Sequence, residues 1–382
     1  MKVYHLYDFP DTIRILLKNN YRIEMFRNLL QIFGAITEIA KSVDVKPKTI
    51  HDFKKGKNSR NTDYFVALSL IRRMSKLLIK NNYKEFSMKN IEKQVVAYKT
   101  NSASNPILKP RLPLVEDERL IRIYTHLIGD RYGGGKYIRK TGGNFYVNPA
   151  YTNTNDALIN RFAKDLDVFG KVPYDKRTGD GHYKVNLPMS IKYILEHIYN
   201  EEISASRGGL PKRFFKLSRK LKFEIIKAFC DDEGTVRDSA IIVSSGNKKQ
   251  LEDIEKIMLS VKFNPEFIIP IKNPKSNLYT LGFRNQNFTM YGNKLGFEHT
   301  EKKKIMKFQL KRRANPKIIK PGESRKRILR LLEENPRTSL ELAMRLGISQ
   351  NTTGQNLRIL ANEEKIKRYR IPGKNNFEYS LS

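Results

Sequence analysis

The chain has 382 residues, of which 73 are Lys or Arg and 39 Asp or Glu, giving a formal net charge of +34. That length implies two or three domains, and a basic excess far beyond what solubility needs implies a polyanionic partner. The sequence has no apolar run of about 18 residues, no N-terminal signal pattern and one cysteine, Cys230, so a transmembrane, exported or disulfide-framed protein is not expected and a reducing, cytoplasmic setting is.

Residues 1–105 read as an all-α domain with recurring apolar positions and little strand pattern. Within it, Ala35 to Lys57 has a helix, a short turn at Val43 to Val45, and a second helix from about Pro47 to Gly56, the outline of a helix-turn-helix. Lys46, Lys48, Thr49, His51 and Lys54 are expected on the exposed face of that second helix, where they suit phosphate and base contacts. A plain helical hairpin within a bundle is the alternative. Asn101 to Pro113 is polar, carries three prolines, and reads as a linker ending the domain.

From Leu114 to Arg313 the pattern becomes α+β, with one domain expected over 114–313. Leu120 to Asp130 (LIRIYTHLIGD) is an apolar helical run that ends in an acid. Strand patterns follow at Lys136 to Arg139 and Asn144 to Thr152, a helix at Asp156 to Val168, strands at Gly170 to Tyr174 and His182 to Leu187, and a helix at Ile191 to Tyr199. The order then recurs. Ile226 to Val236 (IKAFCDDEGTV) is a second apolar helical face, running into Asp231, Asp232 and Glu233 and stopping at Gly234, which can take the left-handed conformation that ends helices. Three carboxylates at the negative end of a helix dipole are each misplaced by up to about 1 kcal/mol unless a cation compensates. Cys230 is expected to be a small buried residue. Strands at Thr235 to Arg237 and Ala240 to Ser244, a helix at Lys248 to Leu259, strands at Glu266 to Ile271 and Leu278 to Arg284, and a helix at Phe288 to Leu295 complete the repeat.

Set in nine-residue frames, Ile123 to Arg131 (IYTHLIGDR) and Ile226 to Gly234 (IKAFCDDEG) resemble the paired motifs of the LAGLIDADG homing endonuclease family, in its monomeric, two-motif, archaeal-type form. The resemblance implies tandem αββαββα units whose four-stranded sheets form a saddle over the DNA major groove, with both motif helices at a pseudo-twofold axis. It implies Asp130 and Glu233 as the catalytic acids that bind Mg²⁺. Thr125 and Ala228 fall where the family's two helices pack closely, and Arg131 replaces the usual closing Gly. Leu210-Pro211-Lys212, and Gly296-Phe297 followed by Lys302, match segments that recur in the family; Lys212 and Lys302 match positions where it often has a basic catalytic residue.

Lys302 to Arg325 is a basic run, either a solvated face or a backbone-contacting segment, in which Lys311, Arg312 and Arg313 are the candidate phosphate contacts. Residues 320–382 read as a winged helix-turn-helix: helices at Arg327 to Glu334 and Ser339 to Leu346, a turn at Gly347-Ile348, Ser349 capping a helix to about Asn362, then a hairpin of Lys365 to Arg370 and Phe377 to Leu381. Gln350, Asn351, Thr352, Thr353, Gln355, Asn356 and Arg358 carry groups that read base edges. Docking to a protein is the alternative use of this module.

The six histidines form no H-E-x-x-H or zinc spacing, and Gly129 to Lys136 (GDRYGGGK) lacks the Ser/Thr of a phosphate loop, so no small-molecule cofactor is expected. Met1 at the start and Leu381-Ser382 at the end lack the splicing residues of an intein, so a freestanding protein is expected. Together these features favour a sequence-specific, Mg²⁺-dependent endonuclease acting on double-stranded DNA. The alternatives are a transcriptional regulator that retains the scaffold without cleavage, for which Arg131 and the flanking modules speak, and a splicing cofactor that binds intron RNA.

Overall fold

The computed structural model describes residues 1–100, 105–129, 135–138, 144–179, 181–203, 209–238, 240–265, 267–270, 278–315, 319, 322–370 and 377–382. The chain divides into two compact units, Met1–Arg177 with Tyr183–Ala228, and Thr178–His182 with Phe229–Ser382.

The first unit opens with strands β1 (Val3–Tyr4) and β2 (Arg14–Leu17), helices α1 (Asn19–Phe33), α2 (Ile36–Ser42) and α3 (Pro47–Lys55), strand β3 (Val66–Ala67), helices α4 (Leu68–Lys80) and α5 (Met88–Glu92), and strands β4 (Val95–Lys99), β5 (Ile107–Leu108) and β6 (Leu114–Val115). This region is not all-α. An antiparallel sheet of order β3-β2-β4-β5 runs through it, with Ile15 opposite Tyr98 and Leu16 opposite Ala97. Its strands have two to five residues, too short for period-two alternation to stand out, and β2 meets β4 across the whole helical segment. Ile15, Leu17, Leu68, Ile71, Met74 and Tyr98 are buried around it.

Part of the proline-bearing stretch read as a linker is also paired. Ile107 and Leu108 form the edge strand beside β4, and Leu108 exchanges backbone hydrogen bonds of 3.0 and 2.7 Å with Lys171. β1 pairs with β6 immediately before the first acid-tipped helix, and Tyr4 donates to Glu116 at 3.1 Å.

The first repeat follows as α6 (Glu118–Gly129), β7 (Gly135–Ile138), β8 (Asn144–Val147), β9 (Ala150–Asn153), α7 (Asp156–Asp165), β10 (Asp175–Gly179), β11 (His182–Asn186) and α8 (Met189–Tyr199). β10 lies later than the strand expected at Gly170 to Tyr174, because Leu166–Phe169 forms a 3₁₀ turn and Gly170 ends it. Helix α9 (Arg219–Glu233) carries the chain from the first unit into the second. In the first unit Arg122 of α6 binds Asp165 of α7 through Nε at 2.7 Å and Nη2 at 2.9 Å, and Glu224 of α9 through Nη1 at 2.7 Å. Thr125 and Ala228, the small-residue positions of the motif, are both buried.

The second repeat comprises β12 (Gly234–Arg237), β13 (Ala240–Ser245), α10 (Lys248–Ser260), β14 (Phe267–Pro270), β15 (Tyr279–Arg284) and α11 (Asn285–Lys294). Its strands form one antiparallel sheet of order β12-β13-β15-β14. Ile241, Val243, Leu281 and Phe283 are buried, as are Leu251 and Ile254 of α10 and Phe288 and Tyr291 of α11. Next comes α12 (Thr300–Ala314), and then a winged helix of α13 (Glu323–Glu334), β16 (Arg337–Thr338), α14 (Ser339–Leu346), α15 (Gln350–Asn362), β17 (Ile366–Arg370) and β18 (Phe377–Leu381). Ile328, Leu332, Leu342, Leu346, Leu357, Leu360 and Ile366 form its core. A capping box between Thr338 and Glu341 starts α14, and Gly347 at φ 71° ends it.

Candidate nucleic-acid interface and acid-tipped helix

The end of α9 sorts its three acids into different roles. Asp231 is buried, and its carboxylate accepts from the backbone N–H groups of Glu298, at 3.1 and 3.2 Å, and His299, at 3.0 Å. It therefore anchors the loop that leads into α12. Asp232 and the terminal residue Glu233 are half-buried.

The compensating cation is Lys302. Its Nζ donates to the backbone oxygen of Asp231 at 2.5 Å and to those of Cys230 and Asp232 at 3.3 Å each, satisfying carbonyls that a helix C-terminus leaves unpaired. Burial pulls the pKa of this ammonium down, while Asp232, Asp231 and Glu233 pull it back up. Lys302, a position where the resemblance implies a basic catalytic residue, completes the helix end. Cys230 is buried, as expected, and burial pushes its thiol up to about 12, so it is a packing residue rather than a nucleophile.

Gly234 serves a different need from the one expected. It is the first residue of β12, paired with Val243, and is not among the left-handed positions. A Cβ there would stand 2.4 Å from the Cys230 carbonyl oxygen, so the glycine permits close approach as the chain passes from helix to strand.

Strand register places three rows on the sheet face opposite Ile241, Val243, Leu281 and Phe283; within these rows Ala240, Thr280 and Gly282 are buried and the ends are open. Arg237, Ala240 and Arg284 form the first row, Thr235, Ile242 and Gly282 the second, and Ser244 with Thr280 part of the third. Thr235, Arg237 and Arg284 are exposed. The alternation in Thr235–Arg237 was the only sequence signal for them, and it does not say which face meets a partner.

In the first unit, α3 presents Lys46, Lys48, His51 and Lys54 as exposed side chains, with Thr49 half-buried. Ile50 and Phe53 point inward, and the buried guanidinium of Arg22 donates to the Phe53 and Lys54 carbonyls, closing the helix. Lys41, Lys55 and Lys57 extend the exposed basic surface. Lys212 is exposed at the start of a 3₁₀ turn. Asp130 and Arg131 lie outside the described residues.

In the second unit, Lys311 is exposed, whereas Arg312 and Arg313 are half-buried and engaged within the chain. Arg312 donates to Gln309 at 3.0 Å and to the Asp238 carbonyl at 3.3 Å. Arg313 donates to the Asn285 carbonyl at 2.9 Å and Thr289 at 3.1 Å, with its guanidinium 5.1 Å from the Phe288 ring centre.

On α15, Asn351, Thr352, Gln355 and Arg358 are exposed; Gln350 and Asn356 are half-buried. Thr353 is a correction: it is fully buried and its hydroxyl donates to the Ser349 carbonyl at 3.0 Å, because positions 353, 357 and 360 line the core face of this helix. The wing adds Lys367, Arg368, Tyr369 and Arg370, all exposed on an edge strand.

Residues 323–362 match the family model of a helix-turn-helix domain. The C-terminal module is a helix-turn-helix domain. No curated protein matches the chain. Solved structures similar to it include an I-DmoI variant in complex with its target DNA and 2 mM Mg, at 15% identity over 47% of this chain and 98% of that one, TM-score 0.37. I-DmoI with DNA and Mn gives 15% identity over 46% and 97%, TM-score 0.36. Full-length DUF199/WhiA from Thermatoga maritima gives 12% over 64% and 95%, TM-score 0.33. What those proteins bind is a property of those proteins. Among the described residues, no helix is long and apolar enough to cross a membrane.

Proposed function

We propose that the protein is a monomeric, sequence-specific double-stranded DNA endonuclease of the LAGLIDADG type, dependent on Mg²⁺. The observation that carries this reading is the passage from α9 into β12: a half-buried acid, Glu233, stands at the junction between a cation-capped helix and a sheet whose next exposed residues are Thr235 and Arg237. A carboxylate in that position is one residue removed from a surface suited to a DNA backbone and base edges.

The carboxylate of half-buried Glu233 is a hard oxygen donor of the kind Mg²⁺ takes, and Mg²⁺ uses one or two carboxylates with water and phosphate oxygens as its other ligands. Bound there, the ion would lower the pKa of water and offset charge on the phosphate. By the family resemblance Asp130 and Glu233 would hold the metals that serve the two strands; in the second unit Lys302 keeps the helix end formed beside several acids, and Asp231 fixes the loop before α12. The exposed bases of α3, the sheet row and the exposed side chains of α15 would bind DNA.

A regulator without cleavage is the second reading, favoured by exposed polar and basic residues on two separate helix-turn-helix elements. A randomised duplex library selected on the full-length protein, followed by incubation of the enriched duplex with and without Mg²⁺, separates the two. Mg²⁺-dependent double-strand cleavage, lost in Asp130→Asn and Glu233→Gln while binding persists, supports the endonuclease. Tight binding without cleavage supports the regulator.

A further inference from the structure

The β12–β13 turn reaches the N-terminus of α15. The Asp238 carboxylate accepts from the backbone N–H of Gln350 at 2.8 Å and of Asn351 at 3.1 Å. Asp238 is itself held: Gln309, fully buried on α12, donates to its carboxylate at 3.4 Å, and Arg312 donates to its backbone oxygen at 3.3 Å. The next donor along, the N–H of Thr352, is taken by the Ser349 hydroxyl at 2.9 Å, and that of Thr353 by the Ser349 carbonyl at 3.0 Å. The amides at the start of α15 are therefore all paired within the chain.

A helix N-terminus attracts anions, and in a helix-turn-helix the first residues of the recognition helix meet the DNA. In this strongly basic chain, a carboxylate sits at that position instead. We propose that Asp238 is an intramolecular phosphate mimic that holds the C-terminal helix-turn-helix in a DNA-excluded state, so that this module engages DNA only when α15 leaves the β12–β13 turn. Arg237, the last residue of β12, immediately precedes Asp238, and its row on the sheet is a proposed DNA contact. DNA binding to that face and retention of α15 on Asp238 would then compete for one short segment, coupling the two surfaces.

This inference rests on the reading of α15 as a DNA-binding helix. The test uses the full-length protein, a selected duplex and a scrambled duplex, with Asp238→Ala removing the acceptor and Asp238→Asn keeping an acceptor without charge. Amide hydrogen exchange at Gln350 and Asn351 should be slow in the wild type without DNA and faster in Asp238→Ala. Affinity for DNA should rise about five- to tenfold in Asp238→Ala, with Asp238→Asn in between and both melting curves cooperative. Unchanged or weaker DNA binding by Asp238→Ala, with its amides deprotected, would overturn the inhibitory role and make the contact a structural clamp. Failure of every protein, wild type included, to bind any duplex would instead remove the DNA reading itself.

Discussion

The ammonium of Lys302 lies 2.5 Å from the backbone oxygen of Asp231, at the point where α9 presents three consecutive acids. Acids at a helix C-terminus repel the helix dipole, and a half-buried cation bonded to three terminal carbonyls offsets that repulsion. Replacing Lys302 with Met should destabilise the protein by about 3 kcal/mol, the scale of removing a charged donor from buried acceptors. Calorimetric or circular-dichroism melting checks this, and an unaltered melting temperature would exclude the capping role.

His299 makes part of the same corner pH-sensitive. Burial, then the nearby Lys302 charge, depresses its pKa from 6.5 to about 4, and its Nδ1 accepts from the Lys302 N–H at the start of α12. The unfolded chain thus binds a proton near pH 6.5 that the native state refuses until about pH 4, so this site's contribution is full above pH 6.5 and is lost as pH falls toward 4. Asn at position 299 caps helices without titrating. Melting temperatures of His299→Asn and wild type should diverge between pH 6.5 and pH 4, with the wild type falling more; parallel curves would count against the assignment.

Gly234→Ala should cost about 3 kcal/mol, because its Cβ would meet the Cys230 carbonyl oxygen, a backbone atom that cannot move without unwinding α9. Urea denaturation measures it. A cost of only a few tenths of a kcal/mol would mean that the helix-to-strand junction relaxes freely.

Arg122 joins α6, α7 and α9 by binding two carboxylates while almost wholly buried. Arg122→Met should destabilise by about 3 kcal/mol, since Glu224 loses this partner and buried Asp165 keeps only a 3.5 Å contact with the more exposed Arg161. Substituting both acids as well, by apolar residues of similar size, should recover most of the loss. If the triple variant is no more stable than the single one, packing rather than charge explains the cost.

Salt dependence should separate the bases of α12. Lys311→Gln removes an exposed charge and should flatten the slope of log K against log salt by about 0.9, the counterion share of one phosphate contact. Arg312→Gln and Arg313→Gln should leave the slope nearly unchanged and lower the melting temperature, because both guanidinium groups are bonded within the chain. Arg358→Gln should weaken the preferred sequence over a scrambled one by about 1–3 kcal/mol if Arg358 bonds a guanine edge. Fluorescence anisotropy at several salt concentrations reads all of these.

Local pattern in the sequence was enough to determine the second repeat and the winged helix, whose elements follow each other through short turns with clear apolar periods: β12, β13, α10, β15 and the helices α14 and α15 lie within one or two residues of their expected bounds. Helices α2 and α3 were legible for the same reason, since Val43 to Val45, Pro47 and Gly56 punctuate them locally. Charge alone already implied a polyanion.

Only the tertiary structure decided which charged groups face outward. It turned Asp231 toward Glu298 and His299, placed Lys302 on the end of α9, engaged Arg312 and Arg313, buried Thr353 and set Asp238 on α15. It also paired β2 with β4 and made an edge strand of Ile107–Leu108. Apart from Thr353, whose burial follows from helix phase, each of these joins residues far apart along the chain, and composition fixes how much charge there is without fixing which carbonyl, amide or carboxylate will be close enough to neutralise it.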